Sequence, residues 1–168
     1  MWSPDRRTLL SAGGAAALLA GCGWRPALRE GGPGATLRGR VRLSAPPGRL
    51  GFALRDAVET RLGVARGGAD HLLEADVAIA ESGVAITEAT AITRFVVRGE
   101  SRWRLTGPLA GPEGLTGEAR STAGYSATES LFATRAARRD AERQVARDLG
   151  QRMATEILAR VAAPGAAG

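Results

Sequence analysis

Three stretches of this sequence alternate apolar with charged or polar residues at a period of two. Residues 72–80, 93–105 and 115–125 place apolar side chains at alternate positions, with arginines and carboxylates between them. A period of two puts one set of side chains on each face of a β-strand. We therefore expect a sheet with one buried face and one charged face, so a second layer must cover only one side.

Two helical patterns and a fourth alternating run complete the predicted elements. Residues 36–43 alternate as a strand, residues 49–62 have helical spacing and end before Gly63, and a long helix is expected over 134–161. In the long helix apolar residues recur every four positions, at Ala141, Val145, Leu149, Met153, Ile157 and Val161. The first strand, the first helix and the second strand can form a right-handed crossover. This predicts an α/β (α+β) two-layer sandwich, in which a four-stranded mixed sheet carries two helices on one face in the order β-α-β-β-β-α.

The outward positions of this predicted sheet carry much of the charge. They are Arg38, Arg40, Arg42, Arg94, Arg98, Arg102, Arg104 and Arg120, with Glu74, Asp76, Glu100 and Glu118. Two interpretations of such a face stay open. It is a solvated surface with cross-strand ion pairs, or it is a contact surface for anions or for a polar protein wall. The last helix adds a row at four-residue spacing, Arg135, Arg139, Arg143 and Arg147, and a solvated helix face is the simpler interpretation of that row.

The N-terminus has the features of an export signal. Arg6 and Arg7 precede the apolar residues 9–20, a run too short to span a bilayer and typical of a secretory signal. Leu19-Ala20-Gly21-Cys22 is similar to a bacterial lipobox, in which the cysteine sulfur receives a diacylglycerol and the signal is cleaved before it. An ordinary signal with an incidental cysteine is the alternative, and the general and twin-arginine export routes both stay open.

These features predict the organisation of the chain. Residues 1–21 form a cleaved signal peptide, and residues 22–35, rich in glycine and proline, form a lipidated cysteine and a flexible tether. Residues 36–161 form a single domain, and residues 162–168 form a disordered tail. Gly23 stands where an aspartate would resemble an inner-membrane retention signal, which favours the periplasmic side of the outer membrane.

Composition narrows the range of partners and chemistries. The formal net charge is +6, and all 23 basic residues are arginine, which points to an anionic partner. Export makes nucleic acid a poor candidate. One cysteine and one histidine, His71 beside Asp70, leave little for a metal site or a catalytic triad. We expect no enzyme activity, no metal and no cofactor, apart from the diacylglycerol and N-acyl chains on Cys22.

Several motifs in order resemble the LPS-assembly lipoprotein (LptE) family, alphaproteobacterial type. They are the lipobox leading into Gly23-Trp24-Arg25-Pro26, the Thr93-Arg94-Phe95 strand, the aromatic Tyr125 at a strand end, "LFAT" at 131–134 and Asp140-Ala141. The resemblance implies an outer-membrane lipoprotein that plugs and helps assemble the β-barrel of the LPS translocon, an LptD-like partner. It also implies help in delivering lipopolysaccharide to the outer leaflet, by binding rather than by catalysis.

The resemblance further suggests where lipopolysaccharide would bind. The family has a basic residue at the start of the last helix, which corresponds to Arg135 here, with Arg138, Arg139 and Arg94 as weaker candidates. Two other functions stay open at this point. One is a different periplasm-facing lipoprotein, such as a cell-wall synthase activator or an auxiliary subunit of a lipid transporter, and the other is a lipid-anchored hydrolase built around His71.

Overall fold

A computed structural model of the protein describes residues 30–84 and 94–163. The predicted signal peptide, the lipobox with Cys22, Thr93 and residues 164–168 of the predicted tail lie outside the described residues. The elements in chain order are α1 (Pro33–Leu37), β1 (Val41–Ser44), α2 (Arg49–Leu62), β2 (His71–Val84), β3 (Arg94–Thr106), a 3₁₀ turn (Pro108–Ala110), β4 (Leu115–Ser126) and α3 (Leu131–Ala162). No helix in the described ranges is long and apolar enough to cross a membrane.

The four strands form one mixed sheet in the order β1-β2-β3-β4. β1 runs parallel to β2, and β2, β3 and β4 are successively antiparallel. We call the end of the sheet at His71 proximal and the end at Val84 distal. The predicted fold class is confirmed: a four-stranded mixed sheet with helices forms an α+β two-layer sandwich.

One continuous core lies between the sheet and the helices. The strands contribute Leu43, Leu73, Val97 and Leu105, and α2 contributes Leu54, Val58 and Leu62. The stripe predicted on the last helix is buried over its whole length, with no member more than 4% exposed. The alternation predicted for the strands is also confirmed. In β3 every second residue from Val97 to Leu105 is buried, and the residues between them are exposed. Removal of this apolar surface from water is the main force that holds the two layers together.

Two glycines let α3 approach its neighbours closely. A Cβ atom at Gly99 of β3 would lie 2.3 Å from Cγ1 of Val145, and one at Gly150 of α3 would lie 2.7 Å from the carbonyl oxygen of Leu54. Real Cβ atoms do not tolerate such distances in a close-packed interior. The positions of α3 over the sheet and against α2 therefore depend on the missing side chains.

The predicted first strand over 36–43 is wrong at its beginning. Pro33 begins the short helix α1, and Leu37 at its end is fully buried, so the packed body starts three residues before the predicted boundary at 36. The chain then turns at Gly39, which has φ +76°, a conformation that favours glycine. Only Val41–Ser44 remain as strand. Leu37 matched the alternating pattern of the predicted strand, but it is buried as the last residue of α1.

The other predicted bounds hold or move outward. α2 occupies the predicted residues 49–62 and ends at Gly63, which has φ +80°. α3 begins three residues before the predicted start at 134, because the Ser130 hydroxyl caps it by accepting a hydrogen bond from the N–H of Ala133 at 3.3 Å. β2 continues to Val84, beyond the predicted end at residue 80.

Candidate functional site

The face of the sheet opposite the helices, here called the charged sheet face, consists of the outward-pointing residues of the four strands. The strand register arranges them in rows that mix the two signs of charge. Asp76, Arg102 and Glu118 stand side by side in one row, and Glu100 and Arg120 stand side by side in the next. Opposite charges on neighbouring strands stabilise this register.

Three ion pairs lie on the charged sheet face, two between β3 and β4 and one within β4. The Nε atom of Arg102 lies 3.4 Å from a carboxylate oxygen of Glu118, and Arg120 binds Glu100 at 3.2 Å and Glu118 at 3.0 Å. Each of these side chains is at least half exposed, so each pair contributes about 0.2–1 kcal/mol at most. The pairs therefore order the surface without being needed for the fold.

A shallow groove of about 700 Å³ crosses the proximal half of this face. Glu74, Asp76 and Glu118 line it together with Arg102 and Arg104, and the chain that follows β1 forms its rim. Arg104 donates a hydrogen bond to the main-chain carbonyl of Glu113 at 3.1 Å. The groove presents both signs of charge, so it suits a polar or zwitterionic surface better than a simple anion.

Two arginines predicted for the charged sheet face lie elsewhere. Arg38 follows α1 as its C-terminal cap, and Arg40 precedes β1 and forms an ion pair with Asp70 at the proximal end. The reason is the early turn at Gly39, which leaves only Arg42 of the three predicted arginines within β1. The remaining predicted outward residues are all exposed on their strands.

The residues proposed for lipopolysaccharide contact are all at the distal end. Arg135, Arg138 and Arg139 belong to the first turns of α3, and Arg94 is the first residue of β3, opposite Val84 and Ser126. Arg94, Arg135 and Arg139 are exposed, and no ion pair of the described residues includes them. These three guanidinium groups are therefore available to an anionic ligand.

Arg138 differs from the other three because it is held by carboxylates. Its Nε atom lies 2.9 Å from Glu81 of β2 and 3.1 Å from Glu142 of α3. Glu81 is on the face of the sheet that α3 covers, so Arg138 links the two layers at the distal end. The structure gives this residue a packing role that the sequence did not indicate.

Tyr125 lies beside this cluster and completes the distal end of the core. Its ring stacks on Phe95, with 5.1 Å between the centroids and 12° between the planes. Burial raises the pKa of the Tyr125 hydroxyl, the negative charge of Glu81 raises it further, and the Arg138 guanidinium lowers it in part. The neutral phenol is therefore favoured where the core meets solvent.

Two apolar side chains at the start of α3 were not predicted as functional residues. Leu131 is 73% exposed and Phe132 is 84% exposed, next to the arginines of the first turns. The sequence pattern did not reveal them, because the predicted helix begins at 134. The capping sequence Ser130-Leu131-Phe132-Ala133 was the signal that could have revealed the earlier start. Adjacent exposed aliphatic and aromatic side chains mark a surface that suits contact with another molecule.

His71 is buried at the proximal end and bonded through both ring nitrogens. Nδ1 lies 2.6 Å from Asp70 Oδ1, and Nε2 accepts a hydrogen bond from the N–H of Leu109 at 3.1 Å. Partial burial raises the pKa of Asp70, but the hydrogen bond from His71 and the positive charge of Arg40 outweigh it and lower the pKa overall. The arrangement fastens the 107–111 turn to β2 and leaves no free nitrogen on the imidazole.

Comparison with known proteins gives matches among solved structures only. No family model matches this chain, and no curated protein matches it. A candidate lipoprotein from Caulobacter crescentus shares the fold with a TM-score of 0.61 and 22% identity, over 79% of this chain and 98% of that one. Rare lipoprotein B from Shewanella oneidensis is similar with a TM-score of 0.50 and 14% identity, over 71% of this chain and 96% of that one.

These similarities define the class of fold. The chain has the two-layer α+β architecture found in these proteobacterial lipoproteins, and it covers nearly the whole length of each. At such low identity the match extends to architecture alone.

Proposed function

We propose that this protein is an outer-membrane lipoprotein of the LptE type, in its alphaproteobacterial form, anchored through acylated Cys22 on the periplasmic side. It seats within an LPS-transport β-barrel, helps that barrel assemble and assists delivery of lipopolysaccharide to the outer leaflet. It acts by binding, without turnover. The observation that carries the proposal is a lipobox-like sequence at residues 19–22, separated by a short predicted tether from a domain with the fold of rare lipoprotein B.

The position of the domain's first residues supports a directional role. α1 leads into β1 at the proximal end, where the N–H of Gly39 bonds to the carbonyl of Leu62 at 2.6 Å. The chain from Cys22 therefore enters at that end, whereas Arg94, Arg135 and Arg139 lie at the distal end. β2, with 14 residues, separates the two ends by about 45 Å. An anchored domain can thus present its arginines far from its own lipid chains.

The charge distribution also suits the proposed setting. The charged sheet face carries ion pairs that are exposed to solvent and can be exchanged for contacts with a polar wall. The lumen of a large membrane β-barrel is polar. Arginine forms bidentate bonds to phosphate groups, which the inner regions of many lipopolysaccharides carry. Arg135, Arg139 and Arg94 are the residues we assign to that contact.

Copurification tests the barrel partner. The full-length protein, expressed in a Gram-negative host that contains its native envelope partners, is extracted from outer membranes with detergent and captured through a C-terminal tag. We expect a large β-barrel to be recovered in stoichiometric amount, and mass spectrometry to find acyl chains on Cys22. Recovery of a cell-wall synthase or an inner-membrane transporter in place of a barrel would overturn the proposal.

Charge reversal tests the ligand site. Arg135→Glu combined with Arg139→Glu is expected to weaken lipopolysaccharide binding at least tenfold in a pull-down with purified lipopolysaccharide. The matched control, Arg61→Glu with Arg152→Glu, makes the same change in net charge at two exposed positions away from the distal end. If both double variants lose binding equally, the contact is non-specific attraction, and our site assignment is wrong.

A further inference from the structure

The outer edge of β2 is only partly paired. β1 pairs with β2 from His71 to Glu74, whereas β3 pairs with β2 from Leu72 to Val84. On the side of β1, no strand of the described ranges pairs with residues 75–84. Within the part of the chain that the structure describes, these ten residues of extended backbone therefore have no strand on that side.

The direction of the main-chain groups along this edge follows from one hydrogen bond. The N–H of His71 donates to the carbonyl of Arg40 at 3.1 Å, so it points away from β3. The register between β2 and β3 runs without a bulge over the whole strand. Because successive residues point their main-chain groups to opposite sides, the N–H groups of alternate residues point to the open edge. The N–H of Ala75 faces the last residue of β1, Ser44, by the parallel register, so the groups beyond β1 belong to Val77, Ile79, Glu81 and Gly83.

The opposite edge of the sheet, at β4, is protected in a way that the outward side of the β2 edge is not. At β4 the guanidinium of Arg160 donates to the carbonyl of Thr116 at 2.7 Å, and Glu118 and Arg120 place charges along the strand. Proteins protect edge strands in these ways against pairing with other chains. Between residues 77 and 84 the only charged side chain is Glu81, which points to the helix side and is held by Arg138. On the outward face this stretch carries Ala78, Ala80, Ser82 and Val84, so it has no charge there like those of Glu118 and Arg120 on β4.

The two faces beside the open edge differ in chemistry. On the helix side, Val77 and Ile79 are only partly buried and pack at the border of the core. On the outward side, Arg94 and Arg98 of β3 lie next to Val84 and Ala80 of β2, whose short side chains leave the two arginines accessible from the edge. Arg98 also donates a hydrogen bond to the Ser82 hydroxyl at 2.6 Å. No carboxylate in the described ranges forms an ion pair with Arg94 or Arg98. A strand added here would meet apolar surface on one face and positive charge on the other.

We propose that the open edge of β2 binds an extended segment of a partner protein in which apolar residues alternate with acidic ones. The segment adds a fifth strand to the sheet and takes its main-chain hydrogen bonds from Val77, Ile79, Glu81 and Gly83. Its apolar side chains cover Val77 and Ile79, and its carboxylates approach Arg94 and Arg98. This goes beyond the proposed function, because it requires neither a barrel nor lipopolysaccharide.

Amide hydrogen exchange measured by NMR tests the proposal on the full mature chain in detergent. The probe is a nine-residue peptide that alternates valine with aspartate and threonine. We expect the peptide to slow exchange at Val77, Ile79, Glu81 and Gly83. The N–H groups of Ala78, Ala80 and Ser82 should change little, because they already bond to β3. A peptide with lysine in place of aspartate should bind about tenfold more weakly.

Three outcomes of this measurement would overturn the proposal. The first is no peptide-dependent protection at the four edge amides. The second is full protection of those amides before peptide is added, since another part of the chain would then occupy the edge. The third is protection that rises with protein concentration alone, which would make a second copy the occupant.

A pair of variants at one position separates the main-chain contact from side-chain packing. Ile79→Pro removes an N–H donor that faces the edge and leaves the β3 pairing intact, as proline allows on an open edge. Ile79→Ala keeps the N–H and removes most of the side chain. We expect peptide binding to fall about tenfold further in the proline variant than in the alanine variant. Equal losses would refute the strand addition, and if Ile79→Pro does not fold, the exchange pattern of the unmodified chain decides.

Discussion

Arg138 of α3 reaches across the distal end of the sheet to Glu81 of β2, with 2.9 Å between Nε and Oε2. The same guanidinium binds Glu142 one helical turn along its own helix. A residue suggested as a ligand contact by sequence resemblance is thus a link between the two layers. Its neighbour Arg139 is exposed and forms no ion pair among the described residues.

Arg138→Ala should therefore lower the stability of the protein, whereas Arg139→Ala should not. We expect the first change to reduce the free energy of unfolding by about 1 kcal/mol, because it removes two partly exposed ion pairs. The second should stay within about 0.5 kcal/mol. Urea unfolding followed by circular dichroism measures both. Equal effects would show that the Glu81 contact contributes nothing to stability.

Tyr125 should titrate above its ordinary range. It is the only tyrosine in the chain, so ultraviolet absorbance reports its ionisation alone. Since the pKa is raised from 10.0 in the folded state, the folded protein holds the phenolic proton more tightly than the unfolded chain, and stability should fall as the pH rises past 10. Glu81→Gln should lower the midpoint of the titration, and Glu142→Gln should lower it less. A midpoint that neither variant moves would contradict the assigned cause.

Gly99→Ala should destabilise the packing of α3 on β3. The new methyl group would lie 2.3 Å from Cγ1 of Val145, and the cost of such overpacking is about 1–3 kcal/mol. Gly124→Ala in β4 is the control, because its Cβ would meet only the Phe95 carbonyl at 3.6 Å. The control should be neutral or slightly stabilising. Thermal unfolding distinguishes them, and a neutral Gly99→Ala would mean that α3 can shift without loss.

Acid should weaken the proximal end through Asp70. The pKa of this carboxyl is lowered from 3.8 in the folded state, so its contribution to stability is present above about pH 4 and is lost as the pH falls through the folded value. Asp70→Asn should lower stability at neutral pH and flatten its dependence on pH below about 4. Asp56→Asn, at an exposed carboxylate of α2, serves as the comparison. Parallel pH profiles of the two variants would contradict the prediction.

The exposed apolar pair at the start of α3 should matter for partners more than for folding. Leu131→Ser with Phe132→Ser should change the free energy of unfolding by less than about 0.5 kcal/mol, because both side chains are already in water. If the distal end contacts the proposed barrel, the same variant should recover less of it in the pull-down. Phe52→Ser, which alters another exposed phenylalanine at 68% exposure, should recover the normal amount.

Much of the fold could be predicted because the period of the apolar residues matches the geometry of each element. The alternation in β3 and the four-residue stripe of α3 both reappear as buried faces. The true start of β1 could not be predicted, because Leu37 belongs to α1 and its position matched the strand alternation only by chance. A periodicity within eight residues does not distinguish a short helix followed by a turn from a strand.

The candidate site was less predictable, since it depends on which residues meet across the sheet. The arginines of α3 could be named in advance, but Arg138 differs from Arg139 only because Glu81 lies opposite it. Sequence alone determined the order of the four strands and the two long helices and most of their buried positions, because these are properties of neighbouring residues along the chain. Tertiary structure alone decided the strand register, the ion pairs and the open edge of β2, because those contacts join residues far apart in sequence.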